Sequence, residues 1–387
     1  MKFKTSILFI LFTPCLCFCQ TITGIILDAN TQEPIETASI YFDNTTIGTS
    51  SNNKGEFQIK KSNSNSPLVI SYLGYEKIVL PNVESGKFYK ILLNEAKNTL
   101  DEVLIDYFDG MSRRKKLNYF RNHFLGTTNN GKSCTILNED DITLRFNKKT
   151  KQLVATSNAP ILVRNENLQY NIKYDLKEFI IDYNHVNVKK RVFIPNSVVY
   201  KGTSFFESLS EEKSVQKKRK SLYKGSVLHF MRSLSENKLK EDGYQIISVG
   251  IPVEPSNYIN VKNIQNTDSV NIKMRLPLTI AYKKWKQSNM ILPNIDGKFD
   301  RQEHNEIVKQ HDSIISVKIS KKLKANAVGE VPLEEEATEV ENKYYYNLSI
   351  IIDKYGNYSP VGSFYFTGYF SDLRIGDTLP LDYALKD

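Results

Sequence analysis

The stretch that decides the fold runs from Thr21 to Glu95 and opens with Thr21-Ile22-Thr23-Gly24-Ile25-Ile26-Leu27-Asp28. Short apolar runs recur through it between turn-forming residues such as Asn52-Asn53-Lys54-Gly55. Runs of this kind, about 8–12 residues apart, predict the strands of an antiparallel β-sandwich. We expect strands at Ile22–Leu27, Ala38–Phe42, Glu56–Ile59, Leu68–Ser71, Lys77–Leu80 and Tyr89–Leu93.

Several groups of residues in this stretch follow the order seen in one known family. They are Gly24-Ile25-Ile26-Leu27-Asp28, Glu33-Pro34-Ile35, Ala38-Ser39-Ile40, Lys54-Gly55-Glu56-Phe57 and Ser71-Tyr72-Leu73-Gly74-Tyr75. With them the stretch resembles the carboxypeptidase-regulatory-like domain. The resemblance implies a seven-stranded antiparallel, transthyretin-like sandwich at residues 20–95, an accessory role without peptidase chemistry, and a cell-envelope context.

The segment after the sandwich resembles part of one class of envelope protein, but the length of the chain argues against that class. Leu100-Asp101-Glu102-Val103-Leu104-Ile105 is similar to the segment that follows this domain in TonB-linked nutrient receptors. Those receptors continue into a plug and a large barrel, for which the rest of this chain is too short. The long remainder contains Phe124-Leu125-Gly126-Thr127, Cys134-Thr135-Ile136-Leu137-Asn138-Glu139 and Tyr223-Lys224-Gly225-Ser226 followed by His229-Phe230-Met231-Arg232-Ser233-Leu234. With these residues it resembles uncharacterised exported bacterial proteins that carry the same sandwich, and this likeness implies no particular activity.

The N-terminus has the features of a secretory signal peptide. Lys2 and Lys4 precede the apolar run Ile7–Phe12, and the pattern predicts cleavage before Gln20. We therefore expect residues 1–19 to be a signal peptide and the protein to be exported to the periplasm or the outer membrane. A lipoprotein is the alternative, because cysteines lie here, but the residues before them do not fit its signal: Pro14, Leu16 and Phe18. No later stretch predicts a transmembrane helix.

After a predicted linker at residues 96–110, residues 111–387 are predicted to form a larger β-rich α+β region, so the chain as a whole is mainly β. Apolar residues at helical spacing predict helices from Ser112 to Gly126 and from Ser226 to about Lys240. The acidic segment Gly329–Asn342 is poor in apolar residues and predicts a loop. Strands are expected at Ile142–Phe146, Leu153–Thr156, Ile161–Val163, Leu168–Tyr174, Phe179–Tyr183, Val186–Ile194, Met274–Tyr282, Ile314–Ile319, Tyr344–Ile352 and Ser363–Phe370.

The histidines and cysteines do not follow a catalytic or metal-binding pattern. No His-x-x-Glu pair, His-Glu-x-x-His or Gly-x-Ser-x-Gly motif occurs around His123, His185, His229, His304 or His311 or elsewhere. Cleavage of the signal would leave Cys134 as the one cysteine, which favours a buried, unreactive thiol. We therefore assign no catalytic residue, cofactor or metal ligand. His229 is predicted to lie opposite the apolar side of its helix, either exposed or against another element.

One formal motif match is predicted to be coincidental. Gly126-Thr127-Thr128-Asn129-Asn130-Gly131-Lys132-Ser133 satisfies the phosphate-loop pattern Gly-x4-Gly-Lys-Ser. A phosphate-binding loop needs a strand before it and a helix after it, so that backbone N–H groups face the phosphates. Here the predicted order is reversed. We expect Gly126 to cap a helix, Asn129-Asn130-Gly131 to form a turn, and no nucleotide to bind.

A basic cluster is the strongest charge feature of the chain. Its 52 Lys and Arg against 43 Asp and Glu give a net charge of +9, which favours anionic partners. The predicted polyanion contact comprises Lys213, Lys217, Lys218, Arg219, Lys220 and Lys224. An anionic glycan or lipid surface or an envelope protein fits this cluster. Nucleic acid is not expected, because the protein is predicted to be exported and no RNA-stacking motif is present. The alternative is an ordinary solvated face.

Two functions remain at this point. The sandwich, the export signal and the missing catalytic motifs favour a non-enzymatic binding or assembly protein of the cell envelope. The alternative is an exported, peptidase-associated hydrolase whose catalytic residues are scattered through residues 111–387. A deep pocket with convergent polar side chains would favour the hydrolase.

Overall fold

The computed structural model of the protein describes residues 21–96, 109–248, 250–292 and 346–384. Several predictions concern residues outside these ranges. They are the signal peptide at 1–19, most of the linker at 96–110, the segment Leu100–Ile105, the strand Ile314–Ile319, the loop Gly329–Asn342, and His304 and His311. In the described ranges, no helix is long and apolar enough to cross a membrane.

The N-terminal region is a sandwich of two sheets, with strand orders β4-β1-β7 and β3-β2-β5-β6. Alternate residues of β1 face the space between the sheets, where Ile22 and Ile26 are fully buried. Its strands are β1 (Thr21–Asp28), β2 (Ser39–Phe42), β3 (Gly48–Ser50), β4 (Glu56–Lys60), β5 (Leu68–Ser71), β6 (Ile78–Leu80) and β7 (Phe88–Leu93). The predicted sandwich is confirmed. It differs from the expectation in that β1 pairs with β7 in parallel, and in the short β3, which the apolar pattern does not predict.

The second region is built on one six-stranded sheet. Its strands are β8 (Cys134–Ile136), β9 (Ile142–Asn147), β10 (Gln152–Ser157), β11 (Ile161–Asn165), β12 (Tyr170–Asn187) and β13 (Val192–Ser208). The order is β8-β11-β12-β10-β9, and β13 pairs with the other edge of β12 along its length. The helices are α1 (Arg113–Phe124), α2 (Asn129–Lys132) and α3 (Lys213–Tyr223). Phe120 and Phe124, one helical turn apart on α1, are fully buried in the core of this region.

The third region has its own hydrophobic core, between two sheets and helix α4 (Val227–Ser235). The sheet orders are β15-β14-β18-β19-β22 and β16-β17-β20-β21. The strands are β14 (Tyr244–Ser248), β15 (Ile251–Val253), β16 (Ile259–Asn263), β17 (Ser269–Leu276), β18 (Leu278–Tyr282), β19 (Lys286–Ile291), β20 (Tyr346–Asp353), β21 (Tyr358–Ser359) and β22 (Tyr365–Gly368), with a short helix α5 (Tyr369–Asp372) after the last strand.

Several element boundaries differ from the sequence predictions. The run Met274–Tyr282 belongs to two strands, β17 and β18, because Pro277 lies between them and cannot donate a ladder hydrogen bond. Leu168–Tyr174 and Phe179–Tyr183 join in one long strand, β12. The predicted strand Val186–Ile194 is wrong, because a turn separates β12 from β13 within it. The helix predicted from Ser226 ends at Ser235, well before Lys240.

The sandwich is docked on both other regions. The main chain of Asn44 and Thr45 hydrogen-bonds to that of Ser204 and Phe206 on β13, with N–O distances of 2.7 and 3.0 Å. The backbone N–H of Asn65 donates to a carboxylate oxygen of Asp353 at the end of β20, at 2.7 Å. The sandwich therefore lies in a fixed position against the rest of the described chain.

Candidate functional site

The lysines of the predicted polyanion contact lie on helix α3 and at its C-terminal end. Lys213, Lys217, Lys220 and Lys224 are four, three and four residues apart, so they follow one side of the helix. Lys220 is half-buried, and the other three and Lys218 are exposed. None of the five forms an ion pair with another residue in the part of the chain that the structure describes. We call these five residues the lysine face.

Arg219 does not belong to this surface, although the sequence places it in the same cluster. Its side chain is 2% exposed. Its Nε donates to the backbone oxygen of Leu168 and its Nη2 to that of Gln169, both at 2.9 Å. The guanidinium also lies 3.8 Å from the ring centroid of Tyr170. The prediction that Arg219 contacts a polyanion is therefore wrong, because this group is buried and holds α3 against the sheet.

The C-terminal end of α3 lies against a second group of lysines. Gly225 follows Lys224 with a φ of +80°, and a Cβ there would lie 2.4 Å from the ring of Tyr282, so the close approach requires glycine. Tyr282 ends β18, and Lys283 and Lys284 follow in the turn to β19. The Nζ atoms of Lys283 and Lys286 lie 5.5 and 5.7 Å from the centroid of the Tyr282 ring.

We call the segment Lys283-Lys284-Trp285-Lys286 the basic hairpin tip. Its neighbour Tyr282 contacts Gly225, which follows Lys224 at the end of the lysine face. No motif in the sequence marks these residues as part of a site. Three lysines around a tryptophan are the available signal, but their proximity to α3 depends on a contact between residues far apart in the chain.

His229 is buried rather than exposed. Its ring packs among Tyr223, Tyr244 and Tyr282, with centroid distances of 4.9, 5.2 and 5.9 Å. Its Nδ1 accepts a hydrogen bond from the backbone N–H of Gly225 at 3.1 Å and lies 3.0 Å from the Tyr244 hydroxyl. Burial lowers the pKa of His229, so the imidazole is neutral near pH 7. Of the two predicted alternatives, contact with other elements is therefore the one the structure shows.

The loop that matches the phosphate pattern holds a carboxylate of the chain itself. Thr128 Oγ1 and Asn130 Nδ2 donate to the two carboxylate oxygens of Asp377, at 2.7 and 2.9 Å. As predicted, helix α1 precedes the loop and strand β8 follows it, and Gly126 ends the helix region with a φ of +97°. The predicted turn at Asn129-Asn130-Gly131 is instead the short helix α2, because Thr128 Oγ1 caps it by accepting from the Gly131 N–H. The Lys132 side chain is exposed.

Cys134 lies directly after this loop and is half-buried. Its Sγ donates to the backbone oxygen of Asn130 at 3.3 Å. Burial, with a smaller contribution from the Asp377 carboxylate, raises the pKa of Cys134 to about 12. A thiol with so high a pKa is a poor nucleophile at neutral pH.

Two concavities lie near these residues. A cleft of about 510 Å³ beside the basic hairpin tip is lined by Lys240, Tyr244, Gln245, Glu254, Lys283 and Lys284, among others. In it Lys240 and Glu254 form an ion pair with each other. A cavity of about 170 Å³ lies among Asn44, α4 and Leu379. Among the described residues, no group of three or more His, Cys, Asp or Glu side chains is placed to hold a metal ion.

Comparison with protein families identifies the first of the three regions. Residues 22–105 match the family model of the CarboxypepD_reg-like domain. The N-terminal part of the chain is a CarboxypepD_reg-like domain. The match agrees with the two-sheet sandwich. A CarboxypepD_reg-like domain supports a binding or regulatory role in general terms.

The other comparisons do not identify the long remainder. No curated protein matches the chain significantly. Among solved structures, a cohesin–X-dockerin complex from Acetivibrio cellulolyticus shares 20% identity over 19% of this chain and 56% of its own, with a TM-score of 0.16. A 9R-lipoxygenase from Cyanothece PCC8801 shares 11% identity over 56% of this chain and 48% of its own, with a TM-score of 0.16. The chain thus spans about half the length of these two.

A third solved structure is a putative membrane-associated protein of unknown function from Bacteroides fragilis NCTC 9343. It shares 12% identity over 68% of this chain and 91% of its own, with a TM-score of 0.15. TM-scores this low inform neither the fold nor the function of the present chain.

Proposed function

We propose that this chain is a non-enzymatic binding or assembly protein of the cell envelope. In this proposal the protein is exported, the CarboxypepD_reg-like domain is a fixed accessory module, and the lysine face contacts an anionic component of the envelope. The observation that carries the proposal is the lysine face itself. Its five side chains lack an ion-pair partner among the described residues, while Arg219 beneath them fixes the helix.

The position of α3 supports this role. A mobile charged helix loses conformational entropy when it binds, whereas a helix that is already held on a sheet loses less. Arg219, Val215 and Tyr223 are buried on the inner side of α3, and the lysines lie on its outer side. The helix is therefore pre-organised to present its positive charge to a surface or a large anionic partner.

Cell fractionation tests the proposal. Lys213, Lys217, Lys220 and Lys224 are changed together to Glu, and the distribution between envelope and soluble fractions is measured at increasing salt. Each lysine near an anionic surface contributes about 1 kcal/mol, so loss of four weakens attachment by roughly 4 kcal/mol before the added repulsion. We expect the wild type in the envelope fraction, released by high salt, and the variant in the soluble fraction.

A matched control separates the lysine face from net charge. Lys148, Lys149, Lys189 and Lys190 are exposed lysines in turns of the second region, and changing these four to Glu lowers net charge by the same amount. We expect this control to stay in the envelope fraction. Equal release of both variants, or a soluble wild type, contradicts the proposal. Chelator-sensitive release of C-terminal residues from peptides by the purified protein would favour the hydrolase alternative.

A further inference from the structure

Trp285 is the one tryptophan of the chain, and its side chain is 89% exposed. Tryptophan is highly buried on average, because its large ring carries much apolar surface. Trp285 lies in the three-residue turn between β18 and β19, at the end of a hairpin rather than on the side of a sheet. Its exposure therefore needs an explanation other than core packing.

The surroundings of Trp285 are cationic. Lys283 and Lys284 precede it in the turn and are exposed, and Lys286 follows it. Lys286 Nζ lies 4.6 Å from the ring centroid of Tyr369, so a second aromatic ring lies beside this cation. The lysine face on α3 approaches the same turn through the contact between Gly225 and Tyr282.

The chemistry of these groups points to a lipid surface. An indole ring has an apolar body and an N–H donor, and tryptophan is enriched at the boundary between lipid headgroups and acyl chains. Lysines close to an anionic bilayer are attracted by its negative surface potential. A soluble anionic glycan would satisfy the lysines, but it offers no such boundary to the indole.

We propose that the basic hairpin tip seats Trp285 in the headgroup region of an anionic lipid bilayer, with Lys283, Lys284 and Lys286 on the lipid headgroups. This inference rests on the proposed function and names the lipid surface as the anionic partner. In this arrangement the lysine face lies along the membrane. It adds electrostatic attraction, and Trp285 supplies the apolar contact.

The contact of Trp285 with lipid can be followed by tryptophan fluorescence, because no other tryptophan contributes to the emission. The protein is produced by export, so that the N-terminus is processed as in the cell, and is titrated with phosphatidylcholine vesicles with or without 30% phosphatidylglycerol. We expect a blue shift of the emission, and quenching by brominated lipid, with the anionic vesicles. Both effects should weaken as salt is raised, since screening shortens the range of the attraction.

Co-sedimentation of variants with the same vesicles tests each group. One lysine is worth about a fivefold change in affinity, so changing Lys283, Lys284 and Lys286 together to Gln should weaken binding about 100-fold. Trp285→Ser should also weaken binding. Phe88→Ser is the matched control, because Phe88 is another exposed aromatic residue, 62% exposed on β7. Lys189 and Lys190 to Gln is the control for a basic turn without an aromatic residue.

The location of this second control makes it informative. Lys189 and Lys190 follow β12, a strand of 18 residues whose first residue, Tyr170, contacts Arg219 of α3. At about 3.3 Å per residue the two ends of such a strand are roughly 50 Å apart. The turn at Lys189 and Lys190 therefore lies far along the strand from the end that contacts α3. We expect both controls to bind like the wild type.

The outcomes separate this inference from the proposed function. Binding to anionic vesicles without an emission shift or quenching overturns the seating of Trp285 and leaves the lysine face as a contact. Binding to soluble dextran sulfate but not to vesicles overturns the lipid partner and favours a glycan. Binding to neither overturns the inference and the lysine-face proposal together.

Discussion

Asp377 organises the loop that carries the phosphate-binding pattern. Its carboxylate is 6% exposed and accepts from Thr128 and Asn130. Burial raises the pKa of Asp377, and the two hydrogen bonds act in the opposite direction. In this loop the side chains of Thr128 and Asn130 thus bind an anion that belongs to the chain.

Changing Asp377 to Ala should destabilise the protein, whereas Lys132→Ala should not. Without the carboxylate, the Thr128 hydroxyl and the Asn130 amide lose their acceptors at a part-buried site, which costs about 2–3 kcal/mol in the free energy of unfolding. Lys132 is exposed, so its truncation should stay within about 0.5 kcal/mol. Urea unfolding of the two variants measures both. If Lys132→Ala lowered the free energy of unfolding as much as Asp377→Ala, the result would contradict this description of the loop.

Arg219 shows what residue-level reading of the sequence misses. In the sequence it stands in a run of basic residues, which suggests a solvated charge. The sequence does hold one signal of its position, since Arg219 lies four residues from both Val215 and Tyr223, which places the three on one side of a helix. Its partners were not readable, because the oxygens of Leu168 and Gln169 belong to a segment about fifty residues earlier.

The hairpin between β18 and β19 has a turn sequence that does not favour stability. Lys283 and Lys284 have φ values of 48° and 68°, in the left-handed region where side chains other than those of Gly, Asn and Asp are strained. Asn and Gly are the residues that such turns prefer. Two lysines at these positions are consistent with a turn whose sequence serves a contact rather than the fold.

Replacing Lys283-Lys284 by Asn-Gly should therefore separate stability from binding. We expect the free energy of unfolding to rise by about 1 kcal/mol, because the left-handed conformation no longer costs energy. Affinity for anionic vesicles should fall about 30-fold, since two lysines are lost. Thermal melting and vesicle co-sedimentation measure the two effects. Unchanged affinity would mean that these lysines do not contact the lipid.

Strands were predictable from the sequence where a local pattern of apolar and turn-forming residues determines them. Every run predicted as a strand in the sandwich is one, because each contains apolar residues and lies between turn-forming residues. The long hairpin of β12 and β13 was not predictable in this way. Its turn contains Lys189-Lys190-Arg191 and has no Gly or Pro that would mark it in the sequence. Arg191 nevertheless adopts the left-handed conformation, with a φ of 53°. Pro195 and Gly202 interrupt the pattern of β13, and its pairing with β12 shifts register near Pro195.

At the scale of the whole molecule, the CarboxypepD_reg-like domain is joined to the second region by a partly buried polar interface. Asp43 accepts a hydrogen bond from the Ser204 N–H at 2.8 Å, and Lys77 pairs with Asp175 at 3.0 Å. The hydroxyl of Tyr41 lies 3.1 Å from Thr203 Oγ1. The sequence predicts the sandwich but not this docking, because the partners are more than 90 residues apart and none shows a local signal.

Asp43 makes the stability of this interface depend on pH. Burial raises its pKa to about 6, and the backbone hydrogen bond and Lys77 only partly oppose the shift. Between about pH 4 and pH 6 the folded protein keeps the proton that the unfolded chain has lost, so the folded state binds more protons. Its contribution to stability is therefore present at pH 4 and is lost as the pH rises through 6.

Asp43→Asn should remove this loss of stability at higher pH, because the amide stays neutral and its oxygen still accepts a hydrogen bond from the Ser204 N–H. The variant should match the wild type at pH 4 and be more stable by about 2–3 kcal/mol at pH 7.5. Melting temperatures at four pH values between these limits give the difference curve. Half-buried His123, whose pKa is lowered to about 4, affects both proteins equally, so its contribution cancels in the difference. The control Asp140→Asn changes a fully exposed carboxylate and should give a flat difference. A variant less stable than the wild type at pH 7.5 would show instead that attraction to Lys77 outweighs burial at this interface.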